Sequence, residues 1–446
     1  MSVSKPGGFN AILRLPAFQM LWLGQLLALT AQNGIHFIQL VLIERLTGRS
    51  VHTGVMVAVF TLPSVLLSPF AGVVIDRVPK KWIIVLSNFL RGLLALSYIF
   101  LLRWADVQAG NYTLILLLIV YAVTFAGASV GVFFNPAVLA KLPLLVGEER
   151  LMMANSLFNI TIAGSQIVGL VVLAPAAVKI LGLSSSFGLM GAFYLIAFLL
   201  VLRLPRDPGR RVQGFSAASG RERLLREFRE GWAFVIRNRT IYMGILHITL
   251  VVTLIMILAM MSTALVSRVL GLTPEDAVLF FAPAGLGMGL AIIALSRWGN
   301  RLRHDWLQTG MLFLAALTFG ILSLLSRDYT NARIPIFDLY PQRIVPLSTA
   351  VAINSIFLGF SLYAINTIAQ TTIQRDSLPS LRGRVFTVQF MIANLLGLAP
   401  LIAASLLADY LGVPVLLRWL GIACLVVALL TLLSALFPQK RVERTP

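Results

Sequence analysis

The sequence predicts an all-α, polytopic membrane protein with about twelve transmembrane helices, and three observations lead to this prediction. Hydrophobic residues make up 58% of the 446 residues, and the mean hydropathy is +0.90. Charged residues make up only 12%, about half of what a soluble domain carries, so the chain cannot cover a water-facing surface. The apolar residues also fall into about twelve runs of roughly 20 residues or more, which is the length that crosses a bilayer.

The predicted spans follow one another with short polar connections, which contain most of the charged residues. Between the last two spans, Asp409 and the Gly-Val-Pro sequence at 412–414 form a helix stop with turn residues. The spans are expected at 17–45, 53–75, 82–103, 112–138, 151–180, 186–204, 241–268, 276–297, 306–326, 345–373, 384–409 and 412–437.

The distribution of positive charge indicates how the chain is oriented. If the N-terminus lies in the cytoplasm, cytoplasmic segments hold about 26 of the 36 Lys and Arg residues, as the positive-inside rule requires. An odd number of spans would remove this asymmetry. We therefore expect both termini in the cytoplasm and the chain in a cell membrane, plasma or inner. The same asymmetry explains the net charge of +19, and no nucleic-acid partner is expected.

A long hydrophilic segment separates six predicted spans from the next six. It begins with Arg, Pro and Gly residues, and its later part, 221–236, has apolar residues at helical spacing with Arg and Glu between them. This pattern predicts an amphipathic helix on the membrane surface; a simple tether is the alternative. The expected parts are an N-terminal six-helix half (1–204), a linker (205–240), a C-terminal six-helix half (241–437) and a tail (438–446).

One loop between the second and third spans has a distinctive sequence, Gly-Val-Val-Ile-Asp-Arg-Val-Pro-Lys-Lys at 72–81. The segment 289–303 occupies the same place in the second half, with small and cationic residues but no Asp. The loop and the order of shorter motifs resemble the major facilitator superfamily, in particular its drug and siderophore efflux branch. Those shorter motifs are Leu-Trp-Leu-Gly-Gln at 21–25, Leu-Thr-Gly-Arg-Ser at 46–50, Asn-Pro-Ala at 135–137, Ala-Asn-Ser-Leu at 154–157 and Leu-Arg-Gly-Arg-Val-Phe at 381–386.

This resemblance implies two pseudo-symmetric six-helix halves that transport a solute by alternating access. It also implies that the 72–81 loop is a conformational latch. A carboxylate at Asp76 can face the N-terminus of the eleventh span, where a helix dipole favours it by about 0.3–2 kcal/mol. The alternative is that these charges only set topology. The expected latch residues are Gly72, Asp76, Arg77, Lys80, Lys81, Arg382 and Arg384.

Polar residues recur on one face of the first, fifth and tenth predicted spans. In the first span, Gln25, Gln32, His36 and Gln39 fall within about 60° at 100° per residue. Because polar groups facing lipid are costly, such faces are expected to line a wet cavity near mid-membrane. The alternative is hydrogen bonding between helices, which contributes about 0.6 kcal/mol per contact. The expected cavity residues are Gln32, His36, Gln39, Asn159, Gln166, Tyr363, Asn366 and Gln370.

The groups that could couple transport to protons are few. A proton-driven transporter needs a titratable group on the transport path, and no Asp or Glu lies deep in a predicted span. The candidate proton carriers are His36 and His247, although a lone His on a helix is more often a packing residue. Arg91, deep in the third span, is a further candidate for coupling or for attracting an anionic substrate. A structural role with Asn88 and neighbouring carbonyl groups is the interpretation of Arg91 that the sequence favours over these.

The leading functional hypothesis is a secondary active exporter of small amphipathic or apolar compounds, driven by an ion gradient that we expect to be protons. A lipid flippase or scramblase, or a sensor or scaffold that does not transport, are the alternatives. No enzyme is expected, because the sequence has no Ser-His-Asp set, metal cluster or phosphate loop, so no catalytic residue, metal or cofactor is predicted. The expected partners are a small-molecule substrate, the ion gradient and the bilayer, and the chain is expected to be a monomer.

Overall fold

A computed structural model describes residues 12–107, 113–147, 150–207, 232–298, 303–328, 346–377 and 382–436. These residues contain twelve helices that are long and apolar enough to cross a membrane. The predicted fold class and the number of spans are therefore confirmed. The helices are numbered α1 to α12 below.

The first six helices precede the predicted linker. Helix α5 is continuous but contains a π-helical segment in its middle, which the sequence analysis did not predict. The six are α1 (Pro16–Thr47), α2 (Ser50–Arg77), α3 (Lys80–Val107), α4 (Thr113–Val146), α5 (Leu151–Gln166, π-helical Ile167–Leu173, then Ala174–Leu181) and α6 (Leu183–Leu202).

The other six helices follow the predicted linker. Helix α7 also ends in a π-helical segment, and a short 3₁₀ turn, Pro274–Ala277, leads into the next helix. The six are α7 (Arg239–Ala264, then π-helical Leu265–Val269), α8 (Val278–Trp298), α9 (His304–Asp328), α10 (Leu347–Asp376), α11 (Arg382–Leu411) and α12 (Val413–Leu436).

The chain forms two compact units. One consists of Met1–Gly48 with Val55–Arg226, and the other of Arg49–Gly54 with Glu227–Pro446. The division of the chain after Arg226 falls inside the segment that we predicted as a linker. The first turn of α2 is grouped with the second unit, although the rest of this helix belongs to the first.

Glycines allow close helix contacts inside each unit. In the first unit, a Cβ atom on Gly169 in the π-helical part of α5 would lie 2.4 Å from the carbonyl oxygen of Thr30 in α1. In the second unit, a Cβ on Gly287 of α8 would lie 1.9 Å from the carbonyl oxygen of Ile356 in α10. Helix backbones can approach this closely only where a side chain is missing.

The start of α2 is held by a carboxylate from the end of α11. Asp409 accepts hydrogen bonds from the backbone N–H groups of Ser50 (2.7 Å) and Val51 (2.9 Å). Arg268 at the end of α7 places Nη1 3.2 Å from Oδ1 of the same carboxylate. Since the first amides of a helix have no partner within it, Asp409 acts as the N-cap of α2. We call this contact the Asp409 cap.

A second carboxylate holds the chain just after α6. Asp207 forms a 2.5 Å ion pair with Lys141 at the end of α4, whose side chain is 1% exposed. The other Asp207 oxygen accepts from the backbone N–H of Lys81 at 3.1 Å. Partial burial raises the pKa of Asp207, but the hydrogen bonds and charges of Lys141, Lys81 and Lys80 together lower it below its usual value. The ionised carboxylate therefore ties α3, α4 and the segment after α6 together.

Only the end of the predicted amphipathic helix is described, and residues 221–231 lie outside the described part of the chain. Residues 232–237 are helical. Val235 is buried in an apolar cluster with residues of α7, α10 and α11, whereas Trp232 and Ile236 are exposed. This last turn, which belongs to the second unit, therefore has one face packed against α7, α10 and α11.

Candidate functional site

The most distinctive polar group inside the first unit is the guanidinium of Arg91, near the middle of α3. The residue is 4% exposed. Its Nη1 donates to Oε1 of Gln32 on α1 at 3.2 Å, and its Nη2 donates to Oδ1 of Asn88 at 3.2 Å. Its Nε donates to the carbonyl oxygen of Ser87 at 3.3 Å. Arg91 thus connects α3 to the predicted polar face of α1.

Two aromatic rings flank this guanidinium. Its Cζ lies 4.4 Å from the ring centroid of Phe134 on α4 and 4.6 Å from that of Tyr194 on α6. A cation over the face of an aromatic ring is attracted by the ring quadrupole. Four helices, α1, α3, α4 and α6, therefore contribute to one buried cationic centre. We call Arg91, Gln32, Asn88, Phe134 and Tyr194 the Arg91 cluster.

All partners that the structure describes for Arg91 are electrically neutral. They are two amide oxygens, one backbone carbonyl and two aromatic rings, and no carboxylate of the described residues pairs with it. The three hydrogen bonds lie at the long end of the usual N–H···O range. The positive charge is thus solvated by dipoles but is not neutralised by a counter-ion.

The polar face of α1 divides into an accessible part and a buried part. Gln32 and His36 are half-buried, and the His36 ring stacks on Phe60 of α2 at 4.3 Å between centroids. Gln39 is buried and donates hydrogen bonds to the hydroxyls of Tyr98 (2.9 Å) and Thr124 (3.0 Å). Gln39 therefore lies in a network between α1, α3 and α4, whereas Gln32 and His36 are only half-buried.

The polar residues of α5 and α10 are less buried than Gln39. Asn159 and Gln166 are exposed on α5, in the first unit. Tyr363, Asn366 and Gln370 are half-buried on α10, in the second unit. Among these, Gln370 accepts a hydrogen bond from the side chain of Gln389 on α11 at 3.2 Å.

His247, the second candidate proton carrier, lies in the interior of the second unit. It is 5% exposed, and its Nε2 is 2.9 Å from the hydroxyl oxygen of Thr431 on α12. This environment is typical of a histidine that joins two helices.

The predicted latch falls at the end of α2 and the start of α11. The side chains of Gly72, Asp76, Arg382 and Arg384 lie outside what the structure describes. Helix α11 begins at Arg382, close to the start expected near Arg384. The remaining latch residues are placed: Arg77 is exposed, and Lys80 and Lys81 are half-buried at the start of α3.

The sequence analysis did not single out the aromatic part of the Arg91 cluster. Phe134 and Tyr194 lie in apolar runs, and the chain contains 27 Phe and 9 Tyr, so nothing in their spacing distinguishes them. Asp409 was noted only as part of a helix stop. Its position at the end of an otherwise apolar run was the available signal.

Comparisons with known proteins agree with this architecture. A sequence profile described as Major Facilitator Superfamily matches residues 21–400. The uncharacterized MFS-type transporter YfiS of Bacillus subtilis is 25% identical over 86% of this chain and 84% of its own length. Macrolide efflux protein A of Streptococcus pyogenes is 23% identical over 89% of this chain and 90% of its own length.

Solved transporter structures share the fold at low sequence identity. The crystal structure of the nucleoside transporter NupG has a TM-score of 0.70 with 12% identity, and the match covers 95% of this chain and all of that one. A POT family transporter in complex with a thioalcohol-conjugated peptide has a TM-score of 0.68 with 10% identity, over 94% of this chain and 96% of that one. With the superfamily profile extending over most of the sequence, the chain belongs to the Major Facilitator Superfamily.

Proposed function

We propose that the protein is a secondary active exporter of small amphipathic compounds that works by alternating access and is driven by protons. The observation that carries this proposal is the Arg91 cluster beside His36. Charged and titratable groups at this depth of a membrane are costly and are characteristic of substrate and ion pathways.

The direction of transport is inferred from the relatives. Macrolide efflux protein A is named for efflux, and it aligns with about nine-tenths of this chain. Export of compounds with both polar and apolar parts fits a face on which Gln32 and His36 lie beside aromatic rings. The proposed cavity residues are Gln32, His36, Gln39, Asn159, Gln166, Tyr363, Asn366 and Gln370, with Gln39 the least accessible of them.

We assign the proton carrier to His36. It is half-buried on the same face of α1 as Gln32, one turn away, and Gln32 accepts a hydrogen bond from Arg91. A proton on His36 therefore adds a second positive charge near the guanidinium, which links protonation to the electrostatics of the Arg91 cluster. His247 is the alternative carrier, and its bond to Thr431 favours a packing role.

The latch proposal rests on sequence position. Asp76 lies in the last turn of α2, and α11 begins at Arg382. A carboxylate that faces a helix N-terminus in one state and leaves it in the other would change the relative stability of the two states. Gly72, Arg77, Lys80, Lys81, Arg382 and Arg384 are its proposed partners.

We test this function with everted membrane vesicles that contain the protein and a panel of dyes and macrolides. Accumulation inside the vesicles should require a pH gradient and should stop when the gradient is collapsed. Asp76→Asn should slow transport while expression stays normal. His36→Gln, which keeps a hydrogen-bonding side chain but cannot titrate near neutral pH, should remove the response to the gradient.

His247→Gln is the matched control and should leave the gradient response in place. If a well-folded preparation moves no compound in response to the gradient, the exporter proposal is wrong. Gradient-independent movement of labelled lipid in the same vesicles would then identify a lipid scramblase.

A further inference from the structure

We propose that Arg91 binds the carboxylate of an anionic amphipathic substrate, and that Gln32 occupies the position of that carboxylate when no substrate is bound. This inference rests on the proposed transport function and names the chemical class of its substrate.

The Arg91 cluster carries a positive charge that no carboxylate of the described residues neutralises. A buried cation without a counter-ion loses its hydration and recovers only part of that free energy from neutral dipoles. The guanidinium is planar and presents paired N–H donors that match a carboxylate in two parallel bonds. In this structure the two terminal nitrogens of Arg91 each donate a 3.2 Å hydrogen bond to an amide oxygen, one from Gln32 and one from Asn88. An incoming carboxylate would supply the missing negative charge.

The cluster also contains a buried hydrogen-bond donor, on Asn88, that has no acceptor among the described atoms. Asn88 is 0% exposed, and its Oδ1 accepts from Arg91. Its Nδ2 has no hydrogen-bond partner among the atoms that the structure describes. Buried donors are nearly always satisfied in folded proteins, so this amide lacks an acceptor. Among the described residues, the cluster therefore lacks both a counter-ion for Arg91 and an acceptor for Asn88, and a carboxylate is a group that could serve as either.

Gln32 covers Nη1 of Arg91, which is itself only 4% exposed. Gln32 is half-buried and has a flexible side chain, so we propose that a substrate carboxylate displaces its amide from Nη1. On α4, Gly131 lies next to this nitrogen, and even a Cβ there would be 3.7 Å away, an ordinary contact distance. The rings of Phe134 and Tyr194 hold the guanidinium in place and offer apolar surface to the rest of an amphipathic molecule.

The test measures binding of matched acids and amides to the purified full-length protein in lipid nanodiscs. The probes are N-acetylphenylalanine, N-acetyltryptophan and N-acetylleucine, each compared with its own carboxamide by equilibrium dialysis. At least one acid should bind about tenfold or more tightly than its amide, because hydrogen bonds to charged groups contribute about 1.5–3 kcal/mol. Arg91→Gln should remove this preference, and Arg91→Lys should retain part of it.

Gln32→Glu is the decisive variant. It places a carboxylate of the protein itself beside Arg91, so the ion pair should preserve or raise the thermal unfolding temperature. The same internal carboxylate should abolish the preference for acids over amides. Arg103→Gln is the matched control, because Arg103 is exposed on the same helix, and this variant should bind the probes as the wild type does.

Two results would overturn the inference. One is a wild-type protein that binds no acid of the panel better than its amide. The other is a folded Gln32→Glu variant that keeps the wild-type preference. Vesicle transport of the dye panel separates failure of this inference from failure of the exporter function. A protein that transports neutral dyes but does not prefer acids is still an exporter. A protein that binds acids but shows no gradient-driven transport still has the carboxylate site.

Discussion

The two glutamines on the polar face of α1, Gln39 and Gln32, have different hydrogen-bond partners. Gln39 donates to two hydroxyls, and both hydroxyls also bond elsewhere: Tyr98 and Thr124 each donate to the carbonyl oxygen of Val120. Gln32, in contrast, accepts from the buried guanidinium of Arg91. Sequence spacing placed the two glutamines on one helix face, but it could not separate these environments, because the partners come from other helices.

Replacing each glutamine with leucine should therefore have unequal effects. Gln32→Leu leaves a charged donor without its acceptor and should lower the free energy of unfolding by about 1–3 kcal/mol. Gln39→Leu removes two neutral interhelical hydrogen bonds and should cost about 1.2 kcal/mol, at about 0.6 kcal/mol for each bond. Denaturant titration of the two variants in the same nanodiscs measures the difference. A larger loss for Gln39→Leu would contradict the assignment of their environments.

The Asp207–Lys141 ion pair leads to a prediction about pH. The pKa of the Asp207 carboxyl is lowered in the folded protein. Its contribution to stability is therefore fully present above the unfolded pKa, near 3.8, and is lost as the pH falls through the lower folded pKa. Between pH 8 and pH 5 this contribution should not change.

Asp207→Ala should destabilise the protein by about 3–5 kcal/mol, because it leaves the buried ammonium of Lys141 unpaired. Adding Lys141→Met to Asp207→Ala should recover much of this loss, since no buried charge then remains. Thermal unfolding at pH 7 compares the variants. If the double variant is no more stable than Asp207→Ala alone, the buried ammonium is not the cause.

At the scale of helices, hydropathy predicted all twelve elements, because a spanning segment must be apolar whichever helix it contacts. It could not predict the π-helical segments Ile167–Leu173 and Leu265–Val269: the first is as apolar as the helix around it, and the second carries Ser267 and Arg268, which do not by themselves indicate a π-helix. Gly169 carries the only local signal in the first of these, since its lack of a side chain permits the close contact with Thr30.

Three glycines of α8 have the same spacing in the sequence but different surroundings in the structure. Gly285, Gly287 and Gly289 are spaced evenly along α8, and small residues in spanning helices commonly serve helix packing. A Cβ on Gly287 would lie within 1.9 Å of the α10 backbone, whereas a Cβ on Gly285 or Gly289 would meet nothing within 4 Å. Of these three glycines, only Gly287 lies where α8 closely approaches α10; on the α10 side, Gly359 lies comparably close to the backbone of Ala284 in α8.

Alanine at these three positions should separate packing from helix propensity. Gly287→Ala forces α8 and α10 apart and should lower stability by about 1–3 kcal/mol or more. Gly285→Ala and Gly289→Ala should be neutral or should stabilise by about 0.5–1 kcal/mol, because alanine is favoured over glycine in a helix. Thermal unfolding of the three variants checks this. Equal losses at all three positions would show that the contact is not specific to Gly287.

For the molecule as a whole, the fold could be predicted from the sequence, but only some residues of the Arg91 cluster could. Composition predicted the membrane class, apolar runs and charge bias predicted the number of spans, and the motif resemblance predicted the superfamily plan; all three are confirmed. Gln32, His36 and Arg91 were found because polar residues are rare in apolar runs. The grouping of the first turn of α2 with the second unit was not predictable, since it depends on Asp409, far away in the sequence.

The orientation of the whole chain can be tested through its one cysteine, Cys424, which is buried. Cys424→Ala gives a background without cysteine for single introductions. In intact cells, a membrane-impermeant maleimide should label Arg49→Cys, between α1 and α2, but not Arg303→Cys, before α9. Both positions are exposed, and everted vesicles should reverse the result. The opposite labelling in cells would place the termini outside.

The Asp409 cap also has a consequence for biosynthesis. The amide of Ser50 and the carboxylate that receives it are 359 residues apart. At about 5–20 residues per second, the ribosome needs roughly 20–70 s to synthesise the chain between them. During that time α2 has been synthesised, but Asp409, which caps it in the folded protein, has not. Until then, water, lipid headgroups or the insertion machinery must satisfy the first amides of α2, and Asp409 replaces them only after α11 has been synthesised.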